Sequence, residues 1–352
     1  MLSAAVRLRD GSDERRLLLD GLARDAGEVT DPLGAIALLD RHPEAFPHPG
    51  SGDTLSLWES LATVAALSLT AARSIEPHLD ALAILDEARS GGHEVPSVPD
   101  GSTWGVFAAE GPGARLTAER SGTAVRLTGE KPWCSLADRL SHALVTAWDS
   151  DSTRRLYAVA LGEANHVSVR PATWAARGLT DVPSGPVDFQ DAPAEPVGPS
   201  GWYLDRPGFA WGGMGVAAIW FGGTVGVARR LVSGGREPDQ VALMHVGAVD
   251  TSLWAARAVL ADAASAVDGG RADGTDGAVL ALRVRRVVAA AAEEVLARVA
   301  HATGPAPLAL EEEHARRVAD LQLYVRQEHA ERDAANLGRT LLRHDDVTRP
   351  PW

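Results

Sequence analysis

The sequence has very little cysteine, and its basic residues are outnumbered by acidic ones. One cysteine, Cys134, stands among 352 residues, so neither an internal disulfide nor a cysteine-based metal cage can form. The 11 histidines lack the paired spacing by which a helix binds a metal ion, and we expect no metal site. With 34 basic against 47 acidic residues, the net charge of −13 disfavours phosphate backbones and anionic lipid surfaces. Nucleic acid is therefore not an expected partner.

Long apolar runs are also scarce. One run, Gly208 to Ala228, continues for 21 residues without a formal charge, which is long enough to cross a bilayer. Seven of these residues are glycine, which lowers helix propensity, and Arg206 and Arg229 flank the run without positive-inside asymmetry. We expect a helix buried inside a bundle and no membrane span. The amino terminus has no apolar signal core, so a cytoplasmic location is expected.

Helical periodicity dominates both ends of the chain. In the first hundred residues it predicts helices over 14–25, 32–40, 55–72 and 76–89. From about residue 209 it predicts four longer helices, over 213–232, 240–267, 278–302 and 311–342. The second of these has an expected apolar stripe of Leu243, Val246, Val249, Leu253, Leu260 and Val267. Four amphipathic helices with short connections are typical of a four-helix bundle.

Between these helical regions the apolar residues come in short runs bounded by glycine, proline and serine, which predict strands. The runs are WGVFAA, TAVRLTG, HALVTAW, RLYAVAL, HVSVR and PVDF. The sequence therefore predicts an α+β multidomain chain. We expect an N-terminal helical domain over 1–100, a middle β domain over 101–205 and a C-terminal four-helix bundle over 206–352.

The most informative stretch is LTGEKPWCSLAD, from Leu127 to Asp138, which is followed by the predicted strand HALVTAW. A strand, then Gly-x-Lys-x-Trp, a small hydroxyl residue and Ala-Asp before another strand resembles the middle domain of the acyl-CoA dehydrogenase family. The resemblance implies the acyl-CoA dehydrogenase fold, with a β-barrel-like middle domain, and it implies FAD as the cofactor. It implies that Trp133 packs against the flavin ring and that Ser135 bonds the flavin N5 edge, with Cys134 between them.

Other segments extend the resemblance along the chain. Phe107-Ala-Ala-Glu110 followed by Gly-Pro-Gly falls where the family carries Leu-Thr-Glu-Pro, which implies that the backbone at Ala108 and Ala109 reaches flavin. Ala109 stands at the family's threonine, so one side-chain hydrogen bond to the cofactor is missing here. The segments Trp174 to Leu179 and Val187 to Phe189 resemble later strands of the same domain.

The resemblance also implies a homo-oligomer, because in the family a neighbouring subunit grips the adenine and pyrophosphate of the cofactor. The first gripping segment matches Gly234 to Gln240, with Arg236 and Gln240 as contacts. The second matches His301-Ala-Thr-Gly304, with His301 and Gly304 as contacts. Both segments are shortened or altered relative to the family pattern.

A catalytic base completes the expected site, since α,β-dehydrogenation of a thioester needs a carboxylate to remove the α proton. One family position for this base falls near Val216, in an uncharged stretch. The other follows an Arg-Asp pair, and counting on from Ala319-Asp320 reaches Glu328. The resemblance thus implies an FAD-dependent acyl-CoA dehydrogenase that uses Glu328 on an acyl-CoA or related substrate and passes electrons to a partner protein.

Two alternatives remain open. His329 could stand near the ring in a flavin monooxygenase of the same fold, which would bind reduced flavin supplied by a partner reductase and would tolerate weak adenine contacts. The chain could also be a catalytically silent homologue whose bundle binds a partner subunit. Without the resemblance, Glu328 and His329 are simply exposed residues of a charge-rich helix.

Overall fold

The computed structural model describes residues 4–150, 152–162, 165–170, 174–233 and 237–343. These residues form two compact units. The helical unit consists of Met1–Arg73, Ala176–Leu179 and Ala210–Trp352, and the β unit consists of Ser74–Ala175 and Thr180–Phe209.

The helices are α1 Asp13–Gly27, α2 Pro32–Ile36, α3 Leu38–Arg41, α4 Thr54–Leu67, α5 Leu69–Ser90, α6 Trp202–Asp205, α7 Pro207–Ala228, α8 Gln240–Asp268, α9 Gly274–Thr303, α10 Ala306–Leu310, α11 Glu312–Tyr324 and α12 Glu331–Arg343. Short 3₁₀ turns lie at Pro43–Ala45, Arg229–Leu231 and Val325–Gln327. The strands are β1 Trp104–Phe107, β2 Leu116–Ser121, β3 Ala124–Ser135, β4 His142–Trp148, β5 Arg154–Ala160, β6 Val167–Val169 and β7 Ser184–Val197.

The seven strands form one sheet whose pairings return to their starting strand. β4 pairs with β5, β5 with β7, β7 with β3 and β3 with β2, all antiparallel. β2 then pairs with β4 through Thr117 and Trp148, while β1 adds to β4 in parallel and β6 adds to β7. Leu127 of β3 is fully buried, and Leu144 of β4 and Leu156 of β5 are buried in a cluster with Ile84 and Leu85 of α5.

Glycines in α7 allow close backbone packing within the helical unit. A Cβ atom on Gly222 would lie 2.2 Å from the carbonyl oxygen of Ala62, and one on Gly226 would lie 2.5 Å from that of Ala66. Both alanines belong to α4, so the uncharged run packs directly against that helix. Pro207–Leu231 is long and apolar enough to cross a membrane, but 67% of its apolar window is buried inside the protein, as in a core helix.

Three details of the predicted helices are wrong. The helix predicted over 55–72 is interrupted at Ser68, where the backbone is extended. The Ser68 hydroxyl accepts a hydrogen bond from the Ala71 N–H at 3.1 Å and so caps the next helix. The stretch 311–342 is divided into α11 and α12 by a turn in which Ala330 has a left-handed φ of 49°. Finally, Leu243 of the expected apolar stripe is 56% exposed, whereas Val249, Leu260 and Val267 are buried.

Candidate functional site

The end of β3 forms a rigid turn that presents one aromatic side chain. The pairing of β3 with β7 shifts register between Lys131 and Cys134, and Trp133 takes a left-handed φ of 61°. The indole is therefore 59% exposed, although Cys134 and Ser135 on the next positions are buried. The Ser135 hydroxyl lies 2.7 Å from that of Ser184 in β7. The backbone thus fixes an exposed tryptophan beside two anchored small residues.

A buried lysine connects this turn to the segment after β1. The Lys131 ammonium, 1% exposed, lies 2.6 Å from Glu110 Oε1 and 2.9 Å from Thr146 Oγ1 in β4. Glu110 also accepts hydrogen bonds from Trp148 Nε1 at 3.2 Å and Arg154 Nη1 at 3.1 Å. The lysine therefore ties Glu110, and the adjacent Ala108 and Ala109, to β3 and β4.

Burial and pairing act in opposite directions on this pair. Burial tends to raise the pKa of Glu110, but the hydrogen bond and charge of Lys131, together with the hydrogen bonds from Trp148 and Arg154, outweigh it, so the pKa of Glu110 is lowered. The pKa of Lys131 is also lowered, because the loss of solvation outweighs the attraction of Glu110. The ionised form of Glu110 is therefore stabilised in the folded protein, whereas the charged form of Lys131 is destabilised by its burial.

The thiol of Cys134 is buried and uncharged. Its thiol is 1% exposed and donates to the carbonyl oxygen of Lys131 at 3.3 Å. Burial raises its pKa far above the ordinary value for a thiol, so the group stays neutral at physiological pH.

The expected adenine-binding residues fall partly at one end of the α8–α9 hairpin. Gln240 begins α8 and His301 lies in the last turn of α9, whose C-cap is Gly304. The ring of His301 lies 6.2 Å from that of buried His245 in α8, so the two helix ends are close. Arg236 lies outside the described residues.

Glu328 is a buried carboxylate in the turn between α11 and α12. It is 2% exposed, which overturns its interpretation as an exposed residue of a charge-rich helix. One oxygen, Oε2, accepts the Ala330 N–H at 2.9 Å and lies 3.5 Å from Arg286 Nη1 of α9. The other oxygen, Oε1, is buried and has no hydrogen-bond partner among the described residues. A carboxylate with one free, desolvated oxygen is suited to accept a proton.

His329 has a different environment from its neighbour. Its side chain is 64% exposed, and Nδ1 lies 3.4 Å from Asp333 Oδ1 in α12. Its backbone N–H donates to the other carboxylate oxygen of Asp333 at 3.0 Å. His329 therefore belongs to the N-terminal end of α12 and is not enclosed with Glu328.

Several residues of these sites were missed by sequence reasoning. Lys131 and Glu110 belong to the quoted motifs but received no role, because Glu130 and Pro132 on either side of Lys131 do not signal that the lysine is buried. Arg285 and Arg286 were missed because nothing in a helical pattern tells which arginine faces a distant turn. Asp320, used only for counting, accepts the Leu179 N–H at 2.6 Å.

Comparison with known proteins identifies the fold. No protein-family model matches the chain, and no curated protein matches it in sequence. Among solved structures, butyryl-CoA dehydrogenase from Megasphaera elsdenii has a TM-score of 0.80 at 18% identity, covering 95% of this chain and 100% of that chain. KijD3 in complex with FMN and dTDP-3-amino-2,3,6-trideoxy-4-keto-3-methyl-D-glucose has a TM-score of 0.76 at 18% identity, covering 99% and 98%. Methanesulfinate monooxygenase MsuC from Pseudomonas fluorescens has a TM-score of 0.71 at 17% identity, covering 92% and 94%.

The chain thus has the α+β fold of the acyl-CoA dehydrogenases over nearly its whole length, and the expected resemblance is confirmed at the level of the fold. At these identities the likeness concerns the fold alone. Dehydrogenases and monooxygenases share it, so the chemistry has to be argued from the residues of this chain.

Proposed function

We propose that this chain is a flavin-dependent oxidoreductase that dehydrogenates an acyl thioester, with FAD as its cofactor and Glu328 as the base. The observation that carries the proposal is the buried Glu328 carboxylate, whose Oε1 is free while Oε2 is held by the Ala330 N–H and Arg286. A group buried without a partner is costly to a folded protein and is often kept for function.

The described residues fit a flavin. In the β unit, Trp133 offers an exposed aromatic face on a fixed backbone, a suitable surface against which a planar ring can stack. Ser135 and the backbone at Ala108 and Ala109 would supply polar contacts. In a neighbouring copy of the chain, Gln240, His301 and Gly304 would hold the adenine end of the cofactor. A bound flavin would supply the hydride acceptor for the reaction.

Glu328 would remove the proton on the carbon next to the thioester carbonyl. The C–H bond breaks, a bond forms between the proton and Glu328 Oε1, and the released electron pair forms the double bond as the hydride leaves the neighbouring carbon. The burial of Oε1 supports this role, because among the described residues no hydrogen-bond donor competes with the substrate proton for this oxygen.

Monooxygenation is the second candidate, favoured by the altered adenine-binding segments and by the fold shared with a methanesulfinate monooxygenase. The exposure of His329 and its pairing with Asp333 do not favour His329 as a group beside the reacting atoms. The free carboxylate oxygen of Glu328 favours proton abstraction instead.

Exposed apolar side chains on α8 support the expected homo-oligomer. They are Val241, Leu243, Met244 and Trp254, all more than half exposed. A second copy covering them would remove apolar surface from water, which favours association. Analytical ultracentrifugation tests this, since Trp254→Glu should then lower the sedimentation coefficient, and an unchanged monomer in both proteins would contradict an oligomer.

Anaerobic reduction of the FAD-loaded chain by saturated acyl-CoA thioesters, followed in the visible spectrum, tests the main proposal. Glu328→Gln should slow the reduction by about 10² to 10⁴, as expected for loss of a general base. Glu331→Gln, which changes an exposed carboxylate three residues away, is the matched control and should react like the wild type. Reduction of the Glu328→Gln variant at the wild-type rate would remove Glu328 from the mechanism.

A second result would overturn dehydrogenation altogether. If no acyl-CoA bleaches the wild-type flavin, the same chain should be supplied with chemically reduced FMN or FAD and oxygen. Oxygen uptake that depends on an added substrate would then support the monooxygenase alternative.

A further inference from the structure

Two consecutive arginines of α9 hold two consecutive residues of the turn that carries Glu328. Arg285 Nη2 donates to the carbonyl oxygen of Gln327 at 2.8 Å, and its Nη1 donates to that of Gly213 in α7 at 3.0 Å. Arg286 Nη1 lies 3.5 Å from Glu328 Oε2. Arg285 contacts the two carbonyl oxygens and the ring of Trp220, whereas Arg286 contacts the carboxylate. The two side chains therefore have separable roles.

The environment of Arg286 differs sharply from that of its partner. The Glu328 side chain is 1% exposed, but the Arg286 side chain is 43% exposed. A buried carboxylate is costly unless a charge or hydrogen bonds compensate it, whereas a half-exposed guanidinium loses little hydration. Arg286 thus brings a positive charge to the buried group without being buried itself.

The contacts of the carboxylate are asymmetric. Both the Ala330 N–H and Arg286 reach Oε2, and the left-handed φ of 49° at Ala330 belongs to the turn that brings this N–H back to Glu328. Oε1 has no described partner. With Oε2 occupied by two donors, Oε1 is the oxygen left to accept a proton.

We infer that Arg286 is a positioning residue for Glu328: its positive charge beside Oε2 compensates the buried carboxylate, and Oε1 faces the substrate as the base. The inference deepens the proposed dehydrogenation and rests on it for the identity of the proton that Oε1 removes. Arg286 itself touches no reacting atom.

Other charges near the turn are already paired. His329 is joined to Asp333, and Arg326 is joined to Glu293 of α9 at 2.5 Å. Arg285 is engaged with the carbonyl oxygens of Gln327 and Gly213. Among the residues that the structure describes, Arg286 is the cation with an ion-pair contact to Glu328.

The first measurement observes Glu328 directly and does not require activity. Infrared spectra of the purified chain over a pH series contain a protonated-carboxyl band that can be assigned to Glu328 by its loss in Glu328→Gln. In Arg286→Gln the ratio of protonated to ionised Glu328 at a given pH should rise about tenfold, the lower end of the effect of a nearby opposite charge. Arg286→Lys should restore much of the ionised form.

The control is Arg298→Gln, which removes an arginine from an exposed pair with Glu294 on the same helix. Its Glu328 band should follow that of the wild type. An Arg286→Gln band that also follows the wild type would overturn the inference. If Arg286→Gln does not fold, Arg286→Lys decides, because the shorter lysine side chain and its point charge should still give a smaller but measurable increase in protonated Glu328.

The second measurement is the rate of anaerobic flavin reduction by acyl-CoA. Arg286→Gln should lower this rate by the factor by which the infrared series shows the ionised fraction of Glu328 to fall at the same pH, and should leave the acyl-CoA concentration at half-maximal rate within about twofold. An equal loss in Arg298→Gln would count against a specific role for Arg286. If acyl-CoA reduces no variant, the proposed function fails, while the infrared comparison still supports or overturns the role of Arg286.

Discussion

Gly178 lies against the backbone of Ala319, so closely that a Cβ atom at Gly178 would stand 2.2 Å from the Ala319 carbonyl oxygen. The next residue, Leu179, has a left-handed φ of 50° and donates its N–H to Asp320 at 2.6 Å. The short segment Ala176–Leu179 is thereby fastened to α11 within the helical unit. Only glycine allows this approach, because any side chain would meet backbone atoms.

Gly178→Ala should therefore destabilise the protein by about 2 to 3 kcal/mol, since the backbone must move to admit the methyl group and the Leu179–Asp320 bond would be weakened. Urea unfolding followed by circular dichroism measures this change. Gly247→Ala is the control, because a Cβ atom there meets nothing within 4 Å inside α8 and should stabilise by up to about 1 kcal/mol. Equal unfolding midpoints for the Gly178 variant and the wild type would contradict the close packing.

Lys131→Met should cost about 2 kcal/mol of unfolding free energy, because it leaves Glu110 without its nearest positive charge. The cost stays below that of a fully buried pair, since the Glu110 side chain is 34% exposed and keeps Arg154 at 3.1 Å. Arg139→Gln, which breaks an exposed contact with Asp138 at 3.9 Å, should change stability by less than about 0.5 kcal/mol. If Lys131→Met and Arg139→Gln changed the free energy of urea unfolding equally, the buried position of Lys131 would not contribute to stability.

The same pair predicts a dependence of stability on pH. Because the folded-state pKa of Glu110 is lowered below 4.5, its contribution is fully present above that pH and is lost as the pH falls through the folded-state value. The stability difference between wild type and Lys131→Met should therefore narrow between about pH 6 and about pH 3. Urea unfolding of both proteins over this range isolates Glu110 from the other carboxylates. A constant difference would contradict the assigned cause.

Sequence reasoning succeeded where a local signal exists. The runs HALVTAW and RLYAVAL became β4 and β5 nearly residue for residue, since short apolar runs bounded by breakers leave little choice. The helix over 240–267 was located to within one residue because Asp239 caps its first turn at the Ala242 N–H. The strand β2 was missed because LTAERS is polar and largely exposed.

The site depended on relationships that no local pattern encodes. Counting from Ala319-Asp320 reached Glu328, but helical periodicity made its segment one continuous helix and its side chain solvated. The break arises from a left-handed Ala330, which the residue type does not signal, and burial arises from packing of residues far apart in the chain. The partner Arg286 lies 42 positions earlier in the sequence. Helical periodicity does not distinguish it from the adjacent Arg285 as the arginine that pairs with Glu328.

Cys134 should be unreactive in the native protein, because its thiol is buried and its pKa is raised. A thiol reagent added near pH 8 should modify the native chain at least about 100-fold more slowly than the chain in urea, since the thiolate is the reacting species. The unfolded chain provides the control and should yield one thiol per molecule. Rapid stoichiometric modification of the native protein would show that the turn at Trp133 opens frequently.

Trp133 provides the clearest separation of binding from stability. Its indole is 59% exposed and its neighbours Cys134 and Ser135 hold the turn, so Trp133→Ala should change the unfolding free energy by less than about 0.5 kcal/mol. Loss of an aromatic stacking surface should nevertheless weaken flavin binding about 3- to 10-fold, and Trp133→Phe should keep most of the affinity. Fluorescence titration with FMN and FAD measures both variants. Because Trp133 is expected to contact the ring that the two cofactors share, both affinities should fall by the same factor, whereas Gln240→Ala should weaken FAD and leave FMN unchanged. Unaltered affinity of Trp133→Ala for both flavins would place the ring elsewhere and remove the turn of β3 from the cofactor site.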